Sequence, residues 1–570
     1  MKRLRTIIYL ALPLIFALGS CQKKLDEQPR AILTPDFLST AQGLQLAMDA
    51  AYGSTRTLWG TQDLFTMTVI GTDEFITGID GNNDINKYNS NYTPSTGVVG
   101  NVWKACYTFI NTCNGIVDYA PAVTGMDTAV KNRMVAEAKF LRANVYFALV
   151  QFWGDVTLNE HFQNSIITSA TRAPMKDVYD FIVQDLKDAI AGLPAGPFST
   201  GMLPGKANKA AAMHVLSKVY LTRAGSSAKQ ADDYRNAYTV AMDLINNVAP
   251  AAGLSLQPDF ADVYREGNEN NSEVLWTVQH TSNLAYNGPN NSGGTDNVLN
   301  HMWVPRYEEQ SGMQRSTLYG RPYIRCIPTR WLLDTVFAER VNDSRYQKTF
   351  QVAWLANNPG NIPSWPSPLP PGAPAGAVAG QPKFKMGDTA IFMPGHDVTD
   401  AEIAAAPYKL MPPRTYTTSL SPAMFKYFDT KRADMNYPSI RPVIVYRLAD
   451  TYLIAAEALF MDGRAGDALR YINAIRERAA YPTGNPQQMD VQVGDLSQDF
   501  ILDERSRELC GELVRWWDLV RTGKLLQRIR LHNTDGTNNI QAKHVLRPIP
   551  QTQLDAVTTG EAYPQNEGWN

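Results

Sequence analysis

The chain carries few of the motifs that mark a catalyst. It has no HExxH pair, no Walker-type glycine loop and no GxSxG elbow. The zinc-protease, nucleotide and serine-hydrolase chemistries that those motifs serve have no anchor here. Cysteine is scarce, with 5 in 570 residues, and no CxxC or HxxxH spacing offers a zinc site. Neither sign of charge dominates. The 53 Lys and Arg against 55 Asp and Glu leave a net charge of −2, which excludes general attraction to nucleic acid or to an anionic membrane. A long hydrophobic run is also missing. Ile7 to Leu18 is apolar but is broken by Pro13 and is shorter than the ~20 residues a spanning helix needs. No cofactor is implied.

Several weaker signals for chemistry are also set aside. Asp73 and Glu74 are adjacent, so in a strand they would face opposite sides, and they read as solvated or capping carboxylates. Asp80-Gly-Asn-Asn-Asp84 spaces oxygens as a calcium loop does, but Ile85 stands where that loop needs Gly and Asn91 where it needs Glu. The stretch reads as an Asn-rich turn, and no metal site is expected. The 7 histidines are scattered.

At the start of the chain a processing signal is present. Lys2, Arg3 and Arg5 precede the apolar run, and Leu18-Gly19-Ser20-Cys21 matches a lipobox. Residues 1–20 are expected to be removed, and Cys21 to carry the lipid anchor. Each buried methylene of that lipid adds about 0.8 kcal/mol to membrane affinity. Residues 21–35 are polar and acidic and read as a tether. Residues 36–570 then form one large unit of more than 500 residues. Cys106 and Cys113 fall in a helical pattern. Seven residues rise about 10.5 Å along a helix, too far for a disulfide. These two, with Cys326 and Cys510, read as buried small hydrophobes.

Helical periodicity concentrates in 134–247 and 442–525. Ala138, Leu141, Val145, Leu149 and Phe152 line one face of a helix over Val135 to Trp153. Val178 to Leu193, Lys209 to Thr222 and Tyr234 to Asn246 continue the pattern. Val443 to Phe460, Ala465 to Ala480 and Phe500 to Arg521 form the second group. The expected fold is mainly α: four tetratricopeptide-like helix pairs forming a solenoid, plus a loop-rich, irregular ligand-binding portion with little β. The loop-rich portion is placed at 60–100 and 254–440, where Gly, Pro, Asn and aromatics gather. A short strand is expected at Glu273 to Val278. Seven prolines between Pro359 and Pro374 predict an extended loop.

Several blocks in order carry a resemblance. They are Ala136 to Asp155, Val178 to Leu186, Lys209 to Leu221, Asp343-Ser-Arg345, Tyr446 to Ala458 and Tyr471 to Arg478. Asp503 to Leu509, Arg515 to Gly523, Leu546 to Pro550 and Gln565 to Trp569 complete the set. With the lipobox, they resemble the SusD/RagB family of nutrient-binding outer-membrane lipoproteins. Asp343-Ser-Arg345 departs from the usual Asp-Pro-Arg. The blocks themselves read as scaffold, with Glu504, Arg505, Arg507 and Glu508 spaced for ion pairs along one helix. The resemblance implies a lipoprotein of the outer membrane that faces the cell exterior. It also implies a SusC-like TonB-dependent transporter as partner, with the solenoid docked on it and the loops holding a glycan that is not cleaved. A surface glycoside hydrolase or lyase, and a peptide- or glycoprotein-binding lipoprotein, are the alternatives.

Sugar binding requires flat rings for the apolar face of a pyranose and short polar groups for its hydroxyls. The sequence is rich in rings, with 26 Tyr and 11 Trp. The resemblance places the binding surface in the two loop-rich regions. The candidates there are Asp73, Asn82, Tyr88, Asn91 and Tyr92 from the first. Tyr286, Asn290, Trp303, Tyr307 and Tyr319 come from the second, with Trp303 foremost. Packing in the interior is the alternative role for each aromatic.

Overall fold

The computed structural model describes residues 35–287 and 295–569. The processing signal, Cys21 and Asn290 lie outside them. Eight helices pair into four antiparallel hairpins. They are α1 (Ala41–Ser54) with α2 (Gly97–Tyr119), α3 (Thr128–Trp153) with α4 (Met175–Gly192), α5 (Lys209–Ala224) with α6 (Asp233–Asp243), and α7 (Leu448–Met461) with α8 (Ala465–Ala479). Successive hairpins stack, with α2 on α3, α4 on α5 and α6 on α7. Side chains fix several starts. Asp127 accepts from the Ala129 and Val130 N–H groups, and Asn208 from that of Ala211.

Buried ion pairs pin the hairpins to each other and to themselves. Arg142 of α3 grips Asp185 of α4 with two hydrogen bonds of 2.8 and 2.9 Å. Arg223 of α5 holds Asp233 of α6, and Lys218 of α5 reaches Asp450 of α7 at 2.9 Å. Each of these residues is buried, so the pair fixes register where hydrophobic packing alone would tolerate slippage. One apolar core runs through all four hairpins, from Leu38 to Trp569. Cys106, Cys113, Cys326 and Cys510 are free and buried. Among the described residues no helix is long and apolar enough to cross a membrane.

Three expectations change. The first hairpin comes from residues 41–119, ahead of the predicted solenoid segments, and α2 begins at Gly97, inside a stretch read as loop. Val443 to Phe460 is not one helix. The β-branched run Val443-Ile-Val445 forms a strand, Val443–Arg447, that pairs antiparallel with Val274–Val278, and α7 starts only at Leu448. Phe500 to Arg521 is likewise two helices, α9 (Gln498–Leu509) and α10 (Arg515–Arg521). The chain breaks between them at Gly511 (φ +72°) and Leu513 (φ +62°). A Cβ on Gly511 would lie 2.3 Å from the Met424 methyl, so the break lets the loop-rich portion approach the helices.

The loop-rich portion has a small core of its own. Tyr307, Tyr319, Trp354 and Ile391 pack around a three-stranded sheet of Ala353–Leu355, Thr389–Phe392 and Lys409–Leu410. The proline-rich stretch is fastened to it. Trp365 is buried, and its backbone exchanges hydrogen bonds with Gln381 and Gly380.

Candidate functional site

Two loop regions distant in sequence meet in one face. Phe75–Thr77 pairs antiparallel with Cys326–Pro328, which brings residues 60–84 against residues 297–328. Backbone hydrogen bonds extend the seam. Gly78 N donates to Arg325 O, Asp80 N to Ile324 O and Val298 N to Gly60 O, all at 3.0–3.3 Å, and within the second region Tyr323 N donates to His301 O at 3.2 Å. A third stretch joins through Ile79 N to Thr418 O and Arg306 N to Ser419 O. Glycine is required on the seam, since a Cβ at Gly78 or Gly81 would come within 2.2 Å of the facing carbonyl oxygen.

The side chains at this seam are polar, aromatic and cationic. Tyr323 is half-buried, with the His301 ring against it at 4.8 Å. Burial holds the His301 imidazole down at about 3, with Arg432 adding to the effect, so it is a neutral ring. The Arg321 and Arg325 guanidiniums lie 5.1 and 5.3 Å from the Tyr323 ring centre. Arg325 also donates to Gln62 Oε1 at 3.1 Å and to the Asp80 carbonyl. Arg306 bridges Asp80 and Glu309 at 3.4 and 3.5 Å. Between the two arginines Ile324 is held at φ +46°, a conformation a β-branched residue adopts only under constraint. Such strain costs about 1–3 kcal/mol and clusters at ligand sites.

The sequence candidates divide by exposure. Asn91 is exposed, Tyr286 is 58% exposed and Asn82 is half-buried. Asn82 caps the short helix Asn83–Lys87, accepting from Ile85 N at 3.1 Å, and Asn91 donates weakly to Asp84. The other described candidates are interior. Trp303 is 3% exposed, edge-on to Phe65 and Phe75 at 4.8 and 5.1 Å and parallel to Tyr427 at 6.0 Å. Tyr88 donates to Gly71 O, and Tyr92 accepts from Arg547 and packs on Trp569. Tyr307 donates to Gly320 O, and Tyr319 accepts from Leu355 N, both within the small core. These five rings have no face open to a sugar, because neighbouring side chains already cover them. Asp73 is fully buried and takes a bidentate fork from Arg515 at 2.6 and 2.7 Å. Glu74 does not point away from Asp73 but reaches the same guanidinium at 3.4 Å. Its carboxyl is pushed up to about 7 by burial, with Arg515 opposing and Asp73 adding.

Arg321, Tyr323 and Arg325 were absent from the sequence-based set. A signal for them exists: residues 310–333 hold Arg315, Arg321, Arg325 and Arg330 and no Asp or Glu.

The profile of the SusD family matches residues 223–569, more than half of the chain. The chain belongs to the SusD family. A second profile, described as starch-binding and associating with the outer membrane, matches residues 37–221. Similar curated proteins include the SusD-like protein P2 of Formosa agariphila, 26% identical, with 98% of each chain covered. Among solved structures, a laminarin-binding SusD-like protein shares the fold with a TM-score of 0.67 at 23% identity, over 93% of this chain and 99% of that one. Surface glycan-binding protein A from Bacteroides thetaiotaomicron, solved with laminarihexaose, gives 0.66 at 19% identity, over 92% and 99%. SusD membership accounts for the hairpin solenoid with a loop-rich portion inserted between α6 and α7. It also accounts for the recognisable blocks, whose residues Arg142, Asp185, Lys218 and Asp450 are the pins between helices.

Proposed function

We propose that this SusD-family protein captures an oligosaccharide or polysaccharide on its loop face, uncleaved, and delivers it to a SusC-like TonB-dependent transporter. The observation that carries the reading is the family match from residue 37 to 569, with a face that offers an aromatic ring and several donors together. Relatives described as starch-binding, laminarin-binding and glycan-binding support it. The helical hairpins supply a rigid frame on the opposite role, that of docking to the transporter. Asp73 and Glu74, the adjacent carboxylates beside the seam, are engaged by Arg515 and are not presented as an acid–base pair.

Calorimetry against a glycan panel, with size-exclusion of the polymer after incubation, tests the binding claim. Micromolar or tighter binding with polymer size unchanged is expected. Shortened polymer would replace this reading with a surface hydrolase or lyase. The lipid on Cys21 is tested by Cys21→Ser, which is expected to leave a folded, ligand-competent protein in the soluble fraction. Co-purification with a TonB-dependent barrel tests the partner.

A further inference from the structure

The loop face carries a surplus of arginine that the chain as a whole does not. Arg330 and Arg315 are matched by Asp334 and Glu308. Arg321 makes no ion pair among the described residues, and its guanidinium meets only the Tyr323 ring. Arg325 is satisfied by two neutral oxygens, of Gln62 and of the Asp80 backbone. Behind them Arg432 is 5% exposed and donates only to His301 and to the carbonyls of Tyr437 and Thr317. Its Nε is buried with no hydrogen-bond partner. Asp429 acts on this buried guanidinium only from a distance, without an ion pair, so its positive charge is only partly offset in a region of low dielectric.

We propose that the loop face selects an acidic glycan, whose carboxylate or sulfate ester is held by Arg321 and Arg325 while the sugar lies against Tyr323. The inference rests on the glycan-binding reading above. A guanidinium fork matches the planar oxygens of a uronate or two oxygens of a sulfate, and such charge-assisted bonds are about twice as strong as neutral ones. The constrained Ile324 keeps the two arginines on the same ring, so the pair is organised before ligand arrives. Asp80, Glu308 and Glu309 rim the face and set an upper limit on charge density. They oppose a continuous polyanion such as nucleic acid and tolerate a sugar chain with spaced charges.

The test uses the full chain in detergent and two matched pairs of probes. One pair is an oligogalacturonate and its methyl ester; the other is a carrageenan oligosaccharide and its desulfated form. One charged member is expected to bind at least about ten-fold tighter than its neutral partner, and to weaken as ionic strength rises. Which pair responds tells uronate from sulfate. Arg321→Ala and Arg325→Ala should each remove most of that preference, and Arg321→Lys should restore part of it, with thermal melts unchanged. No binding to either charged probe, or equal affinity for charged and neutral members, overturns the inference. In the second case glycan binding itself still stands. Binding of an acidic peptide and of none of the four glycans would overturn both readings.

Discussion

Arginine does two different jobs in two regions of this molecule, and the carboxylates around it decide which. In the helical frame, Glu508 of α9 takes three guanidiniums, from Arg345, Arg447 and Arg478, with every partner at most 5% exposed at the side chain. Glu504, one turn earlier, takes Arg345, Arg476 and Arg507 at 2.7–2.8 Å. Arg447 reaches Glu273 and Glu512 as well. Every charge there is answered, so the cluster is a joint between α9, α8, the strand Val443–Arg447 and the loop-rich portion. On the loop face, Arg321 and Arg325 make no ion pair among the described residues. The same side chain is scaffold where it is matched and, in the proposal above, a receptor where it is not.

Substitutions can break or sharpen that contrast. The largest effect is expected for Arg447→Ala, which removes the guanidinium shared by Glu508, Glu512 and Glu273 in the interior and should cost about 3–5 kcal/mol in urea unfolding. A change under 1 kcal/mol would mean the cluster is not a joint. Trp303→Ala should cost about the same, about 3–5 kcal/mol, because the ring fills the interior between Phe65, Phe75 and Tyr427. Full stability with lost glycan affinity would return Trp303 to the ligand surface.

Two buried carboxylates should differ in sign with pH. Burial raises the Glu508 carboxyl, but Arg478, Arg447 and Arg345 outweigh it and hold it at about 2. Its contribution is therefore complete above the ordinary carboxylate range and is lost as pH falls toward 2, which acid titration of the unfolding midpoint reads out. Glu74 is raised to about 7, so its ionisation costs stability as pH rises from the ordinary range through 7. Glu74→Gln should stabilise the protein at pH 8 by on the order of 3 kcal/mol and change nothing below pH ~4. No gain at pH 8 would place Glu74 in a fully paired state with Arg515. The smallest effect is expected for Arg321→Ala, within about 0.5 kcal/mol of the parent in the same unfolding assay. A loss as large as that of Arg447→Ala would assign Arg321 to the frame and remove the contrast.

Three of the four hairpins were legible because their apolar residues recur every three or four positions; the first, α1 with α2, was not placed in the solenoid. The strand at Val274–Val278 was legible from its β-branched and aromatic run. Its partner was not, because Val443-Ile-Val445 is continuous with the apolar face of α7 and only pairing with Val274–Val278 separates strand from helix. The break at Gly511 was hidden for a similar reason: its cause is Met424, 87 residues away in sequence.

The sequence by itself determined that the chain is a frame of helical hairpins with irregular loops inserted; that two of those loop regions share a face was implied only by the family resemblance. Periodicity and composition are local properties, and they persist whatever the chain packs against. Which ring is open to a ligand is a different kind of fact. Trp303 and Tyr323 carry similar local sequence signals, yet one is enclosed by three aromatic rings and the other stands half-open between two guanidiniums. Tertiary structure alone decided that, because exposure depends on residues brought in from elsewhere in the chain, and burial is what converts a ring from a binding surface into core.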